Sequence, residues 1–435
     1  MMRRRRKADV ADGASASTTQ RAHRADYQLL LYVGLLMLLG LVVMYAIGPQ
    51  RAHVLNTSYD TDQYTGTYFV IKQTASLVVA VGGLVALSLL PLSLLHKYAG
   101  KILVVGLALC AALFLFGNLL GVEQIAQCSL GACRWFNLGP LGTFQPAELL
   151  KFGVLIYLAR FLAQRLKQGN VNSWEDSLFP LAVITGVSML FVIVLQKDMG
   201  TGISLLAIIA SMVVVAGVDI KLLAKIGGVL LLAGILLVVT SPHRVERVTT
   251  FLRGDEVATQ ESSDDDYHIR HAKIAIGTGG LFGVGIGNSV QATGYLPEAI
   301  NDSVFAIMGE TFGFVGLTVV ILLFTALLVR ILRVADRLSD PWMRLMVTGI
   351  FGWVAAHVVL NIASMIGVFP LTGITLPLLS FGGTSMVFIA AAIGIVFQAS
   401  RYTSHGLTQG KEAYANSYRG RGLGRTRYTS NRRTS

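Results

Sequence analysis

Four short stretches of the 435-residue chain place ionisable side chains beside proline and glycine, between long apolar runs. The first holds Arg134 and Trp135, then Gln145-Pro146-Ala147-Glu148-Leu149-Leu150-Lys151. Proline suits the first position of a helix, Glu148 then falls in the first turn, and Lys151 lies three residues on along the same face. A well-capped helix with one structural ion pair and the wall of an anionic-substrate cavity both fit that pattern. The second is Gln196-Lys197-Asp198-Met199-Gly200-Thr201-Gly202, which reads as a tight turn through its glycines but leaves the adjacent Lys197 and Asp198 unexplained. The third is Tyr295-Leu296-Pro297-Glu298-Ala299-Ile300-Asn301-Asp302-Ser303, with Asp302 placed to cap a following helix that carries Glu310 roughly 12 Å further along. The fourth, from Phe369 to Ser385, has two prolines at 370 and 377 and glycines at 373, 382 and 383. Irregular backbone of that kind is tolerated at membrane depth where it is buried or lines a cavity. His357 and Asn361 precede it, one helical turn apart, facing the bundle; His357 reads as a satisfied core histidine before a catalyst. A charge at a helix centre costs about 2.5–3.5 kcal/mol, so each of these groups needs a partner or a task. Together they describe a cavity lined by Arg, Lys, Asp and Glu, suited to an enzyme site or a transporter vestibule.

The elements that must position these groups are membrane helices. The chain is 53% hydrophobic and 14% charged, with mean hydropathy +0.62. An ordinary soluble domain carries about 25% charged residues. Ten apolar runs are long enough to span, near 27–48, 73–93, 102–120, 146–165, 177–196, 200–218, 221–241, 303–333, 343–366 and 376–400. With the N-terminus inside, 26 of the 36 Lys and Arg fall in inner segments, and both tails agree. The expectation is an all-α integral membrane protein, N-in and C-in, with its four polar clusters on the outer face. Residues 1–26 and 401–435 read as basic, disordered inner tails attracted to anionic lipid, flanking a membrane domain over 27–400. The net charge of +12 gathers in those tails and the short loops, which argues against nucleic acid. No cleavable leader is expected, because about 20 polar residues separate the basic start from the first apolar run.

Between the seventh and eighth spans lies a large outer loop, 242–302. It opens with Arg244 and Arg247, carries an acidic stretch from Gly254 to Asp266 that reads as a mobile insertion, and turns Gly-rich over 276–287. The Gly-rich run suits tight turns and close approach to a ligand or the membrane surface. Of three cysteines, Cys110 sits in an apolar run, while Cys128 and Cys133 are close enough in an outer loop to bridge or to remain thiols.

The motifs Gly131-Ala-x-Arg-Trp135, Gln145-Pro-x-Glu-x-x-Lys151, Gln196-x-Asp-x-Gly-Thr201, Ala275-Ile-Gly-x-Gly-Gly-Leu-Phe-Gly283, Tyr295-Leu-Pro-Glu-Ala299, Pro-Leu-Thr-Gly373 and Ser380-Phe-Gly-Gly-Thr-Ser385 occur in order. In these the chain resembles the SEDS family of cell elongation, division and sporulation, typified by FtsW and RodA, from Asp26 to about residue 400. The resemblance implies a peptidoglycan glycosyltransferase that polymerises lipid II on the outer face of the cytoplasmic (inner) membrane. The 4-hydroxyl of a GlcNAc attacks C1 of a MurNAc on undecaprenyl pyrophosphate, with inversion to a β-1,4 bond. It implies Asp302 as the catalytic carboxylate. Arg134, Lys151 and Lys197 become candidates to contact the pyrophosphate, with Arg244 and Arg247 as weaker ones, and Trp135, Glu148, Asp198, Glu298 and Glu310 complete the candidate site. It also implies Mg²⁺ or Mn²⁺, with Asp302 one candidate to hold it, and a class B penicillin-binding protein as partner among other division or elongation membrane proteins. Gly287-Asn-Ser-Val-Gln291 with Tyr295-Leu-Pro-Glu-Ala299 looks more like the division type, FtsW. The chain departs from the family pattern at Cys133, His268, His271, Ala292, Asn301 and Ser303. A lipid II flippase and a non-catalytic scaffold are the rival readings. The flippase predicts polar groups along both sides of the bilayer path, and the scaffold predicts dispensable outer-face charges.

Overall fold

The computed structural model describes residues 24–122, 124–129, 132–139, 142–219 and 264–403, with scattered positions between 221 and 245. The helices are α1 (Tyr27–Tyr59), α2 (Tyr68–Leu89), α3 (Leu92–Leu113, continued as a π turn over Phe114–Leu119) and α4 (Pro146–Gln168). They continue with α5 (Trp174–Leu195, π-helical at both ends), α6 (Met199–Val215), α7 (Asp264–Thr278), α8 (Val304–Arg337), α9 (Pro341–Met365) and α10 (Thr384–Ala399). Among the described residues seven helices, α1, α2, α3, α5, α8, α9 and α10 (with its short extension to Tyr402), are long and apolar enough to cross a membrane, and α6 is a shorter apolar helix. Most of the run expected over 221–241 lies outside the described residues.

Sequence dictates the ends of α4. Gln145 occupies the N-cap position, Pro146 the first turn, and Gly169 stops the helix in the left-handed region at φ 73°. Glu148 at one end and Arg165 and Lys167 at the other complement the helix dipole. This helix carries five charged residues in 23, yet most of it is buried. It packs on α3 and α9, and residues on all its faces are buried. The α3–α4 crossing is close because each helix offers a glycine. A Cβ on Gly106 would lie 2.9 Å from Leu150 Cα, and one on Gly153 would lie 2.9 Å from Leu103 Cα. The other large contacts are α2 with α10, α6 with α9, and α8 with α7, α9 and α1.

The helical expectation has one addition. The α3–α4 connection forms a small antiparallel sheet, β1 (Ala126–Ser129), β2 (Ala132–Asn137) and β3 (Thr143–Phe144), in the order β1-β2-β3. Cys128 pairs with Cys133 across β1 and β2, and the two are joined as a disulfide. These strands are too short to leave a period in the sequence.

Two further expectations are corrected. The described part of the 242–302 segment is ordered on α8 as α7 and a run of turns, not a loop throughout, and most of its acidic stretch lies outside the described residues. Gly200 and Gly202 are inside α6, where they allow close packing: a Cβ on Gly200 would meet Thr372 O at 2.5 Å. The Gly-rich run approaches its own chain. α8 breaks at Gly313, in a conformation open to glycine alone (φ 67°, ψ −167°). The carbonyls freed there accept from the run, Glu310 O from Val284 N at 2.9 Å and Thr311 O from Gly285 N at 3.1 Å. In return Phe314 N and Val315 N donate to Gly280 O and Leu281 O. A backbone ladder thus replaces the broken helix bonds, as a bilayer demands.

Gly283 (φ 81°) lies against the Thr311 backbone, whereas Gly287 (φ 85°) has open space around it. Alanine at either position bears the left-handed penalty of roughly 1–2 kcal/mol, and only Gly283→Ala adds backbone overlap. Gly283→Ala is expected to lower the thermal unfolding midpoint in detergent well below that of Gly287→Ala; equal midpoints would contradict the ladder.

Candidate active site

The four polar clusters meet in one cavity of about 460 Å³. Arg134 and Trp135 come from β2, Glu148 from the first turn of α4, Asp198 and Thr201 from the start of α6, and Glu298, Asn301 and Asp302 from the turns before α8. The irregular segment Thr372–Leu378 and Ser380–Met386 forms the remaining wall, with His357 behind it.

Asp302 is buried, 8% exposed, although it lines the cavity. It does not occupy the cap of α8 as the spacing suggested: the helix begins one residue later, with Ser303 at that position. Asp302 is fixed instead through its backbone. Asn361 Nδ2 donates to Asp302 O and to Ile374 O, each at 2.7 Å. The turn before it is closed by Asn301 N and Ser303 N donating to Glu298 O. Glu298 holds that turn in the left-handed region, φ 48°, and its carboxylate accepts from Asn301 Nδ2. Four non-glycine residues in the described chain have positive φ, and three of them, Lys197, Glu298 and Leu378, sit in the segments that build this cavity. Strained backbone of this sort concentrates at functional sites.

Behind the cavity lies a buried charge cluster. Lys151 is fully buried and pairs with Glu148 at 2.8 Å. Its Nζ is 3.3 Å from His357 Nε2 and 4.9 Å from the centre of the Trp353 ring. Trp353 Nε1 also donates to His357 Nε2, at 3.2 Å. Two donors on Nε2 make it the acceptor, so the ring proton sits on Nδ1, facing Thr375 O at 3.3 Å. His357 is therefore the satisfied core histidine expected, and it ties Lys151 to the irregular wall. Glu148 Oε2, Thr372 Oγ1 and Ser385 Oγ are buried without a hydrogen-bond partner among the described residues, on side chains that line the cavity. Such atoms need a ligand or water.

The other candidates separate. Arg134 lines the cavity and straps β2 to the α5–α6 turn, donating to Gln196 O at 3.3 Å and Lys197 O at 2.8 Å. Asp198 lines it too, with oxygens engaged: Thr201 N and Oγ1 and Gln145 Nε2 all donate to it, at 2.9, 2.8 and 3.0 Å. It caps α6 and braces it to α4. Lys151 and Lys197 do not line the cavity. Glu310 is also outside it; its carboxylate accepts from Ser289 Oγ at 2.5 Å and from Val290 N at 3.0 Å, anchoring the turns after the Gly-rich run. Arg244 and Arg247 lie outside the described residues. The wall thus presents four carboxylates, Glu148, Asp198, Glu298 and Asp302, and one guanidinium, Arg134. Among the described residues no three His, Cys, Asp or Glu side chains converge on a metal-sized site.

The profile of the cell cycle protein family that takes in FtsW, RodA and SpoVE matches residues 27–405. The chain belongs to this family. FtsW of Saccharophagus degradans, a probable peptidoglycan glycosyltransferase, is 32% identical over 403 residues, covering 91% of this chain and 97% of its own. Stage V sporulation protein E of Bacillus subtilis is 34% identical over 299 residues, 69% of this chain and 79% of its own. A chain from a structure on the coordination of polymerization and crosslinking by a peptidoglycan synthase complex superposes with TM-score 0.68 at 25% identity, covering 87% of this chain and 98% of that one. RodA of Thermus thermophilus superposes with TM-score 0.61 at 25% identity, over 88% and 98% of the two chains. The chain is accordingly an integral membrane protein of the FtsW, RodA and SpoVE family.

Two of this family member's departures from the family pattern touch. His268 Nε2 and Ser303 Oγ are 2.5 Å apart, and Ser303 Oγ donates to Pro297 O at 2.8 Å. The histidine from α7 thereby holds the residue next to Asp302. A third departure, His271, pairs through Nδ1 with Gln291 Oε1 at 2.8 Å. Sequence gave no sign of these contacts, because 35 residues separate His268 from Ser303.

Removing one member of the buried pair should be far worse than removing both. Glu148→Gln leaves the Lys151 ammonium buried without its counter-charge, a change that costs about 3–5 kcal/mol. Glu148→Gln with Lys151→Met is expected to recover most of the lost thermal stability. A double variant no more stable than the single one would show that the pair does not set this cost.

Proposed function

We propose that this chain polymerises lipid II into β-1,4-linked glycan at the Asp302 cavity, on the outer face of the bacterial cytoplasmic membrane. Its relatives carry the name peptidoglycan glycosyltransferase, and it is a glycosyltransferase of that kind. The observation that carries the reading is the convergence of the family's separate motifs on one cavity that contains Asp302. In the reaction, O4 of the acceptor GlcNAc forms a bond to C1 of the donor MurNAc as the bond from C1 to the pyrophosphate oxygen breaks. The hydroxyl proton passes to the Asp302 carboxylate, and undecaprenyl pyrophosphate leaves with its electron pair. Arg134 faces the departing pyrophosphate, and Trp135 beside it offers a flat surface to sugar or lipid.

A pyrophosphate entering a wall of four carboxylates and one arginine needs more positive charge than the described residues supply. The donor set suits a divalent cation, Mg²⁺ or Mn²⁺, held by a carboxylate such as Asp302 together with substrate phosphate oxygens, the mode such ions commonly use. That cation would offset the charge of the leaving group. The inward bias of Lys and Arg supports the orientation, and the Cys128–Cys133 disulfide suits an oxidising outer compartment. The resemblance to a synthase-complex chain supports a class B penicillin-binding protein as the crosslinking partner, and the 287–299 motifs favour the division role.

Purified protein given lipid II, Mg²⁺ or Mn²⁺ and its transpeptidase partner is expected to produce glycan ladders. Folded Asp302→Ala should give none, and a chelator should stop the wild type. Absence of ladders from the wild type, together with lipid II crossing of liposomes, would replace this reading with transport.

A further inference from the structure

A second cavity, of about 260 Å³, lies at the far end of α8. Arg330 lies beyond the Gly313 break in α8, roughly 25 Å past it along a helix rising 1.5 Å per residue, and the Asp302 cavity lies at the Val304 end on the other side of that break. Against a hydrocarbon core of about 30 Å, this places the two cavities toward opposite membrane surfaces. Four arginines line this one: Arg330, Arg333 and Arg337 from the last turns of α8, and Arg24 from the segment leading into α1. Their spacing of three and four residues puts the α8 guanidinium groups along one face. Among the described residues of the lining Asp26 is the one carboxylate; it pairs with Arg330, and its N–H donates to Ser400 Oγ at 2.9 Å. That pair and the Ser400 contact join three chain segments into a preformed floor beside Arg24 and Arg333.

We propose that this pocket binds the phosphate of an anionic phospholipid headgroup in the inner leaflet. Guanidinium groups match phosphate oxygens two at a time, which a single lysine does not. A basic pocket between helices on the cytoplasmic side is the setting in which anionic headgroups are held, and that leaflet is where such lipids are available to a bundle oriented this way. About 260 Å³ is the space of roughly nine water molecules at about 30 Å³ each, enough for a phosphodiester and part of its glycerol. Both ends of the membrane domain pass this point, Arg24 entering α1 and Ser400 leaving α10, so an occupied pocket clasps the first and last helices to α8. The proposal does not depend on the reaction at Asp302.

The test is native mass spectrometry of the full chain in detergent with cardiolipin or phosphatidylethanolamine added. Cardiolipin should bind at least tenfold more tightly than phosphatidylethanolamine, and Arg333→Gln/Arg337→Gln should remove most of that preference. Arg344→Gln, a basic residue outside the pocket, should leave it unchanged. Arg333→Gln alone, at an exposed position, gives a second reading if the double variant is unstable. The proposal fails if the two lipids bind alike, or if Arg344→Gln weakens binding as much as the pocket variants do. It also fails if millimolar inorganic phosphate protects against thermal unfolding as well as cardiolipin does, because the ligand would then be a soluble phosphate.

Discussion

The side-chain amide of Asn361 donates to two backbone carbonyls, those of Asp302 and Ile374, and on this the cavity depends. Both carbonyls belong to segments with no regular secondary structure at the edge of a helical bundle. In such a setting an unpaired carbonyl costs several kcal/mol, so irregular backbone persists only where something inside the protein satisfies it. One turn of α9 does this for two segments at once, and Asp302 takes its place as a consequence. The same segments are linked again where Phe381 N donates to Ile300 O at 2.8 Å. At the other side of the turn Glu310 and the Gly313 break perform the matching task for the Gly-rich run. Asp302 thus sits where two non-helical stretches meet, both held by Asn361 of α9.

Charge follows the same logic. Lys151 does not enter the cavity. Lys151 is enclosed by Glu148, His357 and the Trp353 ring, and this cluster locks α4 to α9 while leaving one oxygen of Glu148 unpartnered beside the cavity. Asp198 is likewise engaged by Thr201 and Gln145 and joins α4 to α6. Much of the ionic character read as substrate contact is therefore the frame that sets Asp302, Arg134 and Glu298 around an open space.

The parts of the fold and site that were legible in the sequence are those that local chemistry determines. Pro146, Glu148 and Lys151 obey the first-turn rules of a helix, and the helix and the ion pair are both there. Apolar runs located the described helices, though α1 continues to Tyr59 and α3 starts at Leu92, each about ten residues beyond its run, and α10 starts only at Thr384; four polar clusters did form one cavity. What escaped depends on distant pairing. Asp302 looked like a cap because aspartate before an apolar run usually is one, yet with the turn at Glu298 (φ 48°) the cap position falls on Ser303. Gly200 and Gly202 looked like a turn because spacing cannot distinguish a turn glycine from one that admits the neighbouring Thr372 carbonyl. The order in the 264–302 segment comes from α8, the β-hairpin is too short to show a period, and the His268–Ser303 contact joins two positions that looked like unrelated departures.

The account rests on Asp302 being held by Asn361 for chemistry, so the decisive measurement separates binding from turnover in Asn361→Ala. Lipid II affinity and the rate of glycan formation would be measured on purified protein that keeps the wild-type elution profile. The account predicts affinity within a few-fold of wild type and polymerisation reduced at least a hundred-fold, about 2.7 kcal/mol of lost transition-state stabilisation. Wild-type polymerisation by this variant would contradict it, because Asp302 would then need no such anchor to act.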